Sequence, residues 1–598
     1  MSTLHDTLWT MTNDNLSIRA RLMDDKVKCT RKADYIDVIK RGYEGDGLLA
    51  IWHSLNDVER LAVAEASYAP QHLHDAARFE AKYGHKAVFS VVPKLSPGKH
   101  VTSQNKGTYS TRLNLLLYPD VIYLGYSVPD DLALRLQSIC PEPAADAVHT
   151  ITEPAPEAGL VLRQTEHEAL ADVRTLLRLA DQGMLKFSTT TSMPSATGAS
   201  KIIEHLAGGD WFAPEVASIP NQPKYGQKLG SIKPVAWALM LHTARLIGMA
   251  GTKSKLAPAG AKALAQPAHE AIRAIWDKWL DNRTHDEFNR IDPIKGQGTK
   301  GCMTAKQPRR AAIVEGLIDC PVNQWVCMKE FSRYMRATNL EFEVTHDPWK
   351  LYISERQYGS LGYAQSHDWN LLQFRYILCF LFEYAATLGL IDIAYVHPDG
   401  AMADFRDLWG ADFLSWLSRY DGLRAFRVTE LGAFCLGITD AYQPRKPACS
   451  VTLSVLPNLT ISVIAGQLSQ EEVLMLETWA EPVDTDIWRL NRERALDAVE
   501  RGRSVSEFAS FLQERDEQPL PEAVETFCRS SESNGTAVHC TGEAILFECR
   551  DGATAALLCR QKELRRLCFL AGKTTIAVPT AHVPKFRKCA RSLGLGVV

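Results

Sequence analysis

Apolar residues recur at helical spacing through the first ninety residues of the chain. In segment 45–68, Leu48, Ile51, Leu55 and Val58 lie three or four positions apart, with polar residues between them. This spacing places the apolar side chains on one face of a helix. Residues 1–95 are therefore predicted to form an N-terminal helical module.

The next part of the chain combines an apolar stretch with a polar one. Segment 113–123 is apolar enough for one or two strands, whereas segment 140–159 is rich in proline, alanine and acidic residues and has no apolar face. Such a composition is typical of a linker or a domain boundary. Residues 96–160 are predicted to be a strand-containing segment followed by a linker.

After the linker, one pattern of residues recurs. Helix-forming residues end in a glycine, and a short turn and a strand-like or polar stretch follow, in segments 171–187, 237–264 and 378–432. The last two segments also share a five-residue motif, LAPAG at 256–260 and VTELG at 428–432. In this motif Leu or Val is followed by Ala or Thr, two further residues and a glycine. A glycine that ends a helix takes the left-handed conformation, and a hairpin after it can pack its apolar side on the helices. The pattern predicts helices followed by hairpins with polar tips.

This order of elements resembles winged-helix domains. The resemblance implies one winged-helix region at 161–290 and a further one, with a basic loop, at 291–440. In winged-helix DNA binders a helix enters the major groove and the hairpin tip touches the backbone. Lys253 and Lys255 lie at the predicted tip of segment 237–264. Winged helices also serve as spacers between proteins, and that alternative stays open.

The C-terminal quarter has a distinct order of patterns. Segment 451–462 alternates like a strand, 488–512 reads as two short helices that turn at Arg501 and Gly502, and 567–579 is strand-like before a basic helix at 583–593. This order resembles the accessory domain of XPB-type DNA helicases and of bacterial helicase-associated proteins. The resemblance implies an α/β helicase-accessory domain at 441–598 that handles DNA.

The sequence offers no motor of its own. An ATP-driven motor requires a glycine-rich phosphate loop followed by lysine and Ser or Thr. The nearest segment is 571–575, and Leu567 stands where the first glycine of such a loop belongs. Segment 571–575 is therefore predicted to be a turn between two strands. We expect a non-catalytic accessory subunit that needs no cofactor.

The best candidate for nucleic-acid contact is segment 293–310, which has three glycines and no acidic residue. This composition predicts a mobile loop whose cations neutralise phosphates. The cations are Lys295, Lys300, Lys306, Arg309 and Arg310. The alternative is a solvated loop beside the acidic stretch 277–292.

Two further groups of cations are candidates. Lys588 and Arg591 share one face of the predicted helix 583–593. Segment 221–233 combines Lys228 with Lys224, Tyr225 and Lys233, a mixture that suits gripping a strand by charge and stacking. In segment 401–437, by contrast, arginines alternate with aspartates beside aromatic residues, which predicts a packed surface with paired ions.

Composition limits the remaining functions. Of the 598 residues, 46% are hydrophobic and 23% charged, as in soluble globular chains of about four domains. The net charge of −3 requires that any nucleic-acid contact come from local basic surfaces. With no export signal or bilayer-spanning run, we expect a cytoplasmic protein with no membrane contact, and buried, reduced cysteines. The histidines show no metal-ligand spacing.

The sequence thus predicts a multidomain, mainly helical α+β protein with tandem winged helices and a C-terminal α/β helicase-accessory domain. Its expected function is to bind DNA and to work with a separate helicase or nuclease partner, in DNA repair or anti-phage defence. A protein scaffold without DNA contact and a winged-helix transcription regulator are the alternatives.

Overall fold

The computed structural model describes residues 3–91, 109–120, 125–188, 190–212, 227–364, 369–442, 451–516, 518–538 and 542–598. The chain divides into two compact units, one formed by Met1–Arg445 with Ser469–Glu471 and the other by Lys446–Leu468 with Glu472–Val598. Helices alternate with small antiparallel sheets, so the protein is a multidomain chain of mixed α and β structure, compatible with the α+β class. The finer domain boundaries stay predictions.

The N-terminal part of the first unit is helical, as the apolar spacing predicts. Its helices are α1 Leu4–Thr10, α2 Asn13–Met23, α3 Lys32–Arg41, α4 Gly47–Ser54, α5 Asp57–Tyr68, α6 Ala76–Tyr83 and α7 Asp130–Gln137. Its strands are β1 Leu73–His74, β2 Ser90–Val91, β3 Tyr109–Ser110, β4 Tyr118–Asp120 and β5 Gly125–Ser127. Strands β1, β5 and β4 form one sheet in that order, and β2 pairs with β3. The helices bury one continuous apolar core.

Segment 45–68 contains two helices, because a capping box interrupts it. The Asn56 side chain accepts a hydrogen bond from the backbone N–H of Glu59 (2.9 Å), and the Glu59 carboxylate accepts one from the backbone N–H of Asn56 (3.0 Å). This reciprocal pair satisfies the first amides of α5 and starts a new helix. The apolar face continues across the break, since Leu48 and Leu55 are both buried.

The middle of the first unit contains helices α8 Thr165–Asp181, α9 Ala196–Ile203, α10 Lys233–Thr243, α11 Pro258–Ala265, α12 Ala268–Leu280, α13 Lys306–Ile318, α14 Met328–Ala337, α15 Gln373–Cys379 and α16 Glu430–Cys435. A π-helical turn, Phe380–Ala385, continues α15. The strands are β6 Val161–Arg163, β7 Ile247–Ala250, β8 Lys253–Leu256, β9 Ile294–Lys295, β10 Trp325–Cys327, β11 Tyr352–Ile353, β12 Ile391–Tyr395 and β13 Leu423–Val428.

One order of elements occurs twice here: a helix, a short strand, two helices and a hairpin. The first copy consists of α8, residues 185–187, α9, α10 and the hairpin β7–β8. Its short strand joins the hairpin, because Ser254 N–H donates to the Leu185 carbonyl (2.9 Å) and Phe187 N–H to the Thr252 carbonyl (3.0 Å). Segment 171–187, which the sequence suggests as a separate repeat, is therefore the first part of this copy.

The second copy consists of α13, β10, α14, α15 with its π-helical turn, and the strands β12 and β13. Here too the short strand joins the pair, since the sheet order is β10-β13-β12-β6. The repeated helix, turn and strand pattern of the sequence thus corresponds to a repeated arrangement in space.

A glycine after each hairpin explains the recurring motif. In the first copy, Ala257 N–H donates to the Leu246 carbonyl (2.9 Å), and a Cβ on Gly260 would lie 2.1 Å from that oxygen. In the second copy, Thr429 N–H donates to the Leu390 carbonyl (3.0 Å), and a Cβ on Gly432 would lie 2.0 Å from it. Only glycine fits so close to a backbone oxygen.

The third helix of each copy is buried. Residues 233–241 of α10 are all buried, as are Phe374–Cys379 of α15 and Phe380–Ala385 of its π-helical turn. Lys233 is only 1% exposed, because its ammonium group lies 3.0 Å from Glu168 and 3.1 Å from Asp172. Burial raises the pKa of Asp172 to about 6 against the opposing effect of Lys233. Lys233 is therefore a core residue and does not belong to a surface that grips a strand.

The predicted linker 140–159 has little regular structure, but it is held on the second copy. Asp146 pairs with Arg333 (2.5 Å), Glu157 pairs with Arg424 (2.8 Å), and Ile151 N–H donates to the Trp325 carbonyl. The segment lies within one compact unit. Of the predicted strand segment 113–123, the described part contains a 3-10 turn, Arg112–Leu115, and β4, while 121–123 lie outside the described residues.

The C-terminal unit contains two small sheets. The first has the order β14-β15-β17-β16 and the second β18-β20-β19. The strands are β14 Thr452–Val455, β15 Thr460–Ala465, β16 Ala480–Asp484, β17 Ile487–Leu490, β18 Ala544–Glu548, β19 Phe569–Leu570 and β20 Thr575–Pro579. The helices are α17 Gln470–Trp479, whose first two residues belong to the first unit, α18 Arg492–Glu500, α19 Val505–Gln513, α20 Glu522–Gly535, α21 Gly552–Arg560 and α22 Val583–Ser592.

The local elements of this unit match the expectation. Segment 451–462 forms the hairpin β14–β15, and the helix pair α18 and α19 turns at Gly502. Residues 571–574 form the turn between β19 and β20, and Thr575 begins β20. The basic helix follows as α22.

Candidate functional site

Arg309 and Arg310, two of the predicted phosphate contacts, are buried near the start of α13, each 1% exposed. Arg309 Nη1 lies 3.0 Å from Asp286, and Arg310 Nε lies 2.7 Å from Glu287. Arg310 Nη1 also donates to the Asn282 carbonyl (2.7 Å). The prediction that these arginines lie in an exposed mobile loop is wrong, because the neighbouring acidic stretch pairs with them.

The rest of segment 293–310 is ordered as well. Lys295 is exposed on β9, where it pairs with Tyr352 of β11. Lys300 is exposed in the turn that follows. Lys306 is half-buried, and its ammonium group donates to the Arg283 carbonyl (3.1 Å). Of the five predicted cations, only Lys295 and Lys300 present an exposed side chain.

The other candidate cations lie on separate surfaces. Lys253 and Lys255 are exposed on β8, directly after the turn of the first hairpin. Lys588 and Arg591 are exposed on α22 of the C-terminal unit. Lys228 is exposed, whereas Lys224 and Tyr225 lie outside the described residues. The contribution of each exposed cation to nucleic-acid binding stays a prediction.

A pocket of about 300 Å³ lies beside Lys295. We call it the cationic pocket, because its lining includes four basic side chains and one acidic one, which are Lys228, Arg290, Lys295, Arg419 and Asp292. They come from three separate parts of the chain. The apolar lining comes from Ile353, Leu414 and Trp416.

Hydrogen-bonded partners fix the two arginines of the cationic pocket. Arg290 Nε donates to both carboxylate oxygens of Glu383 (2.8 and 3.0 Å). Arg419 pairs with Asp292 and donates to the Leu229 carbonyl. Glu383 lies in the π-helical turn and also accepts a hydrogen bond from the Tyr420 hydroxyl. π-helical turns are frequent at functional sites.

Gln227 lines the pocket and holds the segment that contains Trp416 in place. Its Oε1 accepts a hydrogen bond from the backbone N–H of Ser415 (2.7 Å), and its Nε2 donates to the Trp416 carbonyl (3.0 Å). The pocket is therefore built before any ligand arrives, which lowers the entropic cost of binding.

The electrostatics of the pocket favour an anion. Burial lowers the pKa of Arg419, and repulsion from Arg290 lowers it further, against the attraction of Asp292. Burial would also lower the pKa of Arg290, but Glu383 outweighs it, and that pKa is raised. Burial raises the pKa of Glu383, with both arginines opposing. Two guanidinium groups thus repel each other beside two exposed lysines, and a bound anion would relieve that repulsion.

Sequence reasoning placed Lys295 and Lys228 among the candidates but missed Arg290 and Arg419 as site residues. Arg419 was expected to have a paired ion, and Asp292 is its partner. Neighbouring residues in the sequence could not indicate that Arg419 lines a pocket, because Arg419 and Asp292 lie more than a hundred residues apart in the chain.

No protein-family model matches this chain, and no match was found among curated proteins. Within the described ranges, no three His, Cys, Asp or Glu side chains converge in a way that could hold a metal ion. None of the helices in that part of the chain has the length and apolar character needed to span a bilayer. The geometry of the cationic pocket is therefore the main guide to function.

Proposed function

We propose that the protein is a DNA-binding accessory subunit that contacts the phosphate backbone through the cationic pocket. The pocket with four basic side chains and one exposed carboxylate is the observation that carries this proposal. Arginine and lysine are the main partners of phosphate oxygens in protein–DNA complexes. The chain has a net charge of −3, so contact with DNA has to come from a local concentration of cations such as this one.

The proposed binding mode gives little specificity for DNA sequence. A winged helix that reads bases inserts an exposed helix into the major groove. The third helices α10 and α15 are buried and have no free face for a groove. Contacts to phosphate fix the position of DNA and carry no direct base information. This argues against a sequence-specific transcription regulator.

The C-terminal unit is the reason to propose a partner protein, a separate helicase or nuclease. The repeated order of helix, strand, two helices and hairpin supports assignment of the middle of the chain as tandem winged helices. The sheet and helix order of the C-terminal unit is compatible with the helicase-accessory domain that its sequence resembles. An accessory domain without a phosphate loop suggests a separate helicase or nuclease that supplies the chemistry, in repair or anti-phage defence.

A salt titration of DNA affinity tests the proposal. Replacing Lys228 and Lys295 with alanine should weaken binding and reduce the slope of log K against log salt by about 0.7 per lost contact on a single strand, or about 0.9 on a duplex. The matched control replaces Lys26 and Lys28, two exposed lysines of the N-terminal module, with alanine. The control should keep the wild-type slope. No binding by the wild-type protein at low salt would contradict the proposal.

A protein scaffold without DNA contact is the second candidate. The burial of α10 and α15 favours it, because a winged-helix region that has lost its groove-reading helix can still serve as a rigid spacer. This candidate predicts that the Lys228 and Lys295 variants leave every property except surface charge unchanged.

A further inference from the structure

Five large aromatic side chains project into solvent on the two segments that form one wall of the cationic pocket. We call them the aromatic surface. They are Trp349 (54% exposed), Tyr358 (51%), Tyr363 (63%), Trp409 (61%) and Phe413 (91%). The pocket lining includes Ile353 and Ser354 from the first segment and Leu414 from the second. The aromatic surface is thus continuous along the chain with the pocket.

Contacts between the segments hold the aromatic surface in place. The Ser354 hydroxyl donates to the Gly410 carbonyl (3.1 Å), and the rings of Tyr358 and Trp409 lie 5.3 Å apart. The Trp349 and Tyr363 rings are 4.9 Å apart in a T-shaped arrangement. The indole of Trp349 also packs on Gly362, where a Cβ would come within 2.1 Å of the ring. These rings are supported on one side and exposed on the other.

The exposure of Trp409 departs from the sequence expectation for segment 401–437. The sequence predicts a packed surface there, and Trp416, Tyr420 and Phe426 are indeed buried. Leaving several large rings in water together costs free energy, and exposed apolar clusters mark interaction sites. The aromatic surface therefore calls for a ligand that presents flat apolar faces.

The form of the DNA follows from what the rings can contact. The charge between the aromatic residues is mixed, because the exposed charged side chains there are Glu355, Arg356, Arg406, Asp407 and Asp412. The pocket, by contrast, is lined by four basic side chains and one acidic one. A duplex keeps its base faces stacked inside and offers none of them to the rings. A single strand can place phosphates in the pocket and turn its bases onto aromatic rings, which is how proteins grip unpaired strands.

We propose that the cationic pocket and the aromatic surface form one site for single-stranded DNA, with phosphate bound between Lys228, Lys295 and Arg419 and bases stacked on the exposed rings. This inference rests on the proposed DNA-binding function and narrows it to one form of DNA. An apolar peptide is the competing occupant, but it would bring no anion to the exposed Lys228 and Lys295 of the pocket.

Fluorescence anisotropy with labelled oligothymidylate and with a duplex of equal length tests the inference. The wild-type protein should bind the single strand more tightly than the duplex. Trp409→Ala should raise the dissociation constant for the single strand at least about fivefold, as expected for one lost stacking contact. The salt slope should stay unchanged, because a stacked base releases no counterions.

The matched control is Trp9→Ala, which removes an equally exposed tryptophan (52%) from α1 of the N-terminal module. This variant should keep wild-type affinity. Thermal unfolding of both variants shows whether the fold is intact, and Trp409→Phe, which keeps a ring, should retain most of the affinity.

The outcomes separate the inference from the function on which it rests. Equal affinity for single strand and duplex, with Trp409→Ala no weaker than Trp9→Ala, would overturn the single-strand site and leave DNA binding in place. Absence of binding to either DNA at low salt would overturn both. Tighter binding of a peptide that is insensitive to Lys228→Ala would assign the aromatic surface to a protein partner and also overturn the inference.

Discussion

The two copies of the repeated order differ most in the connection between their hairpin strands. In the first copy, Gly251 and Thr252 join β7 and β8 directly. In the second copy, residues 396–422 separate β12 from β13. That long connection supplies Trp409, Phe413 and Arg419 to the candidate site. The two-residue turn supplies no side chain to that site, and the exposed Lys253 and Lys255 that follow it lie on β8.

This difference distinguishes the residues that build the common fold of the two copies from those that form the candidate site. The features that the copies share, such as the glycine against a carbonyl oxygen, serve packing. The features that they do not share carry the exposed aromatic and basic side chains. A repeated motif in the sequence therefore indicates the scaffold, and the interruption of that motif indicates where to look for a ligand.

The largest loss of stability is expected from breaking the buried ion pair between Arg310 and Glu287, which supports the second copy. Glu287 receives hydrogen bonds from Arg310 (2.7 Å), from Trp279 Nε1 (3.0 Å) and from the Tyr376 hydroxyl (2.7 Å). Arg310→Ala would leave the Glu287 carboxylate buried without its cation and should lower the free energy of unfolding by about 3–5 kcal/mol. Urea unfolding followed by circular dichroism measures this.

A double variant, Glu287→Gln with Arg310→Met, serves as the control for that experiment. It removes both charges together and should be less destabilised than Arg310→Ala. A change below about 1 kcal/mol for Arg310→Ala would mean that the guanidinium group is solvated, in conflict with its burial, and would return it to the list of phosphate contacts.

The contrast between Arg310 and Lys295 shows how far the sequence could lead. The charge run at 293–310 was visible, but a run of cations does not reveal which ones are buried. One signal was available: Arg309 and Arg310 precede Ile313 and Leu317 at helical spacing, and these apolar residues are fully buried. That periodicity would have placed both arginines on the inner side of a helix.

The cationic pocket and the aromatic surface could not be predicted in the same way. Hairpins and the glycine motif are set by neighbours in sequence, and they were found from spacing. One predicted helix end is wrong, because α10 ends at Thr243 and Gly248, expected to end that helix, lies in β7. The pocket joins Lys228, Arg290, Ser354 and Arg419, which only the tertiary fold brings together. Local pattern carries no information on such long-range contacts.

A smaller loss of stability, similar in the two copies, is expected when the glycine after each hairpin is replaced by alanine. Gly260→Ala and Gly432→Ala each push a methyl group against a backbone oxygen about 2 Å away and should each destabilise the protein by about 1–3 kcal/mol. Thermal and urea unfolding should give similar values for the two. Gly248→Ala on β7 is the control, since a Cβ there has no neighbour within 4 Å. Clearly unequal losses would show that the copies do not share one framework.

A still smaller effect is expected on DNA binding from the short hairpin. Lys253→Ala with Lys255→Ala removes two exposed cations that do not line the cationic pocket. We expect the slope of log K against log salt to decrease less in this variant than in the variant that lacks Lys228 and Lys295. The preference for single strands should stay unchanged. Anisotropy titrations at several salt concentrations compare the two variants. A larger loss from the hairpin lysines would move the main contact to the first copy and reverse the comparison.

The smallest effect is expected at Lys300 and Lys306, which share a charge run with Lys295 but lie outside the cationic pocket. Lys306 already donates to the Arg283 carbonyl, and Lys300 lies in an exposed turn. Lys300→Ala with Lys306→Ala should change the free energy of unfolding by only about half a kcal/mol, as is usual for surface positions. Affinity for single-stranded DNA should change far less than in Lys295→Ala, because DNA that is held in the pocket does not need these two cations. If the double variant instead reduces the salt slope as much as Lys295→Ala, the whole run 293–306 contacts phosphate, and the interface extends beyond the pocket along the turn that follows β9.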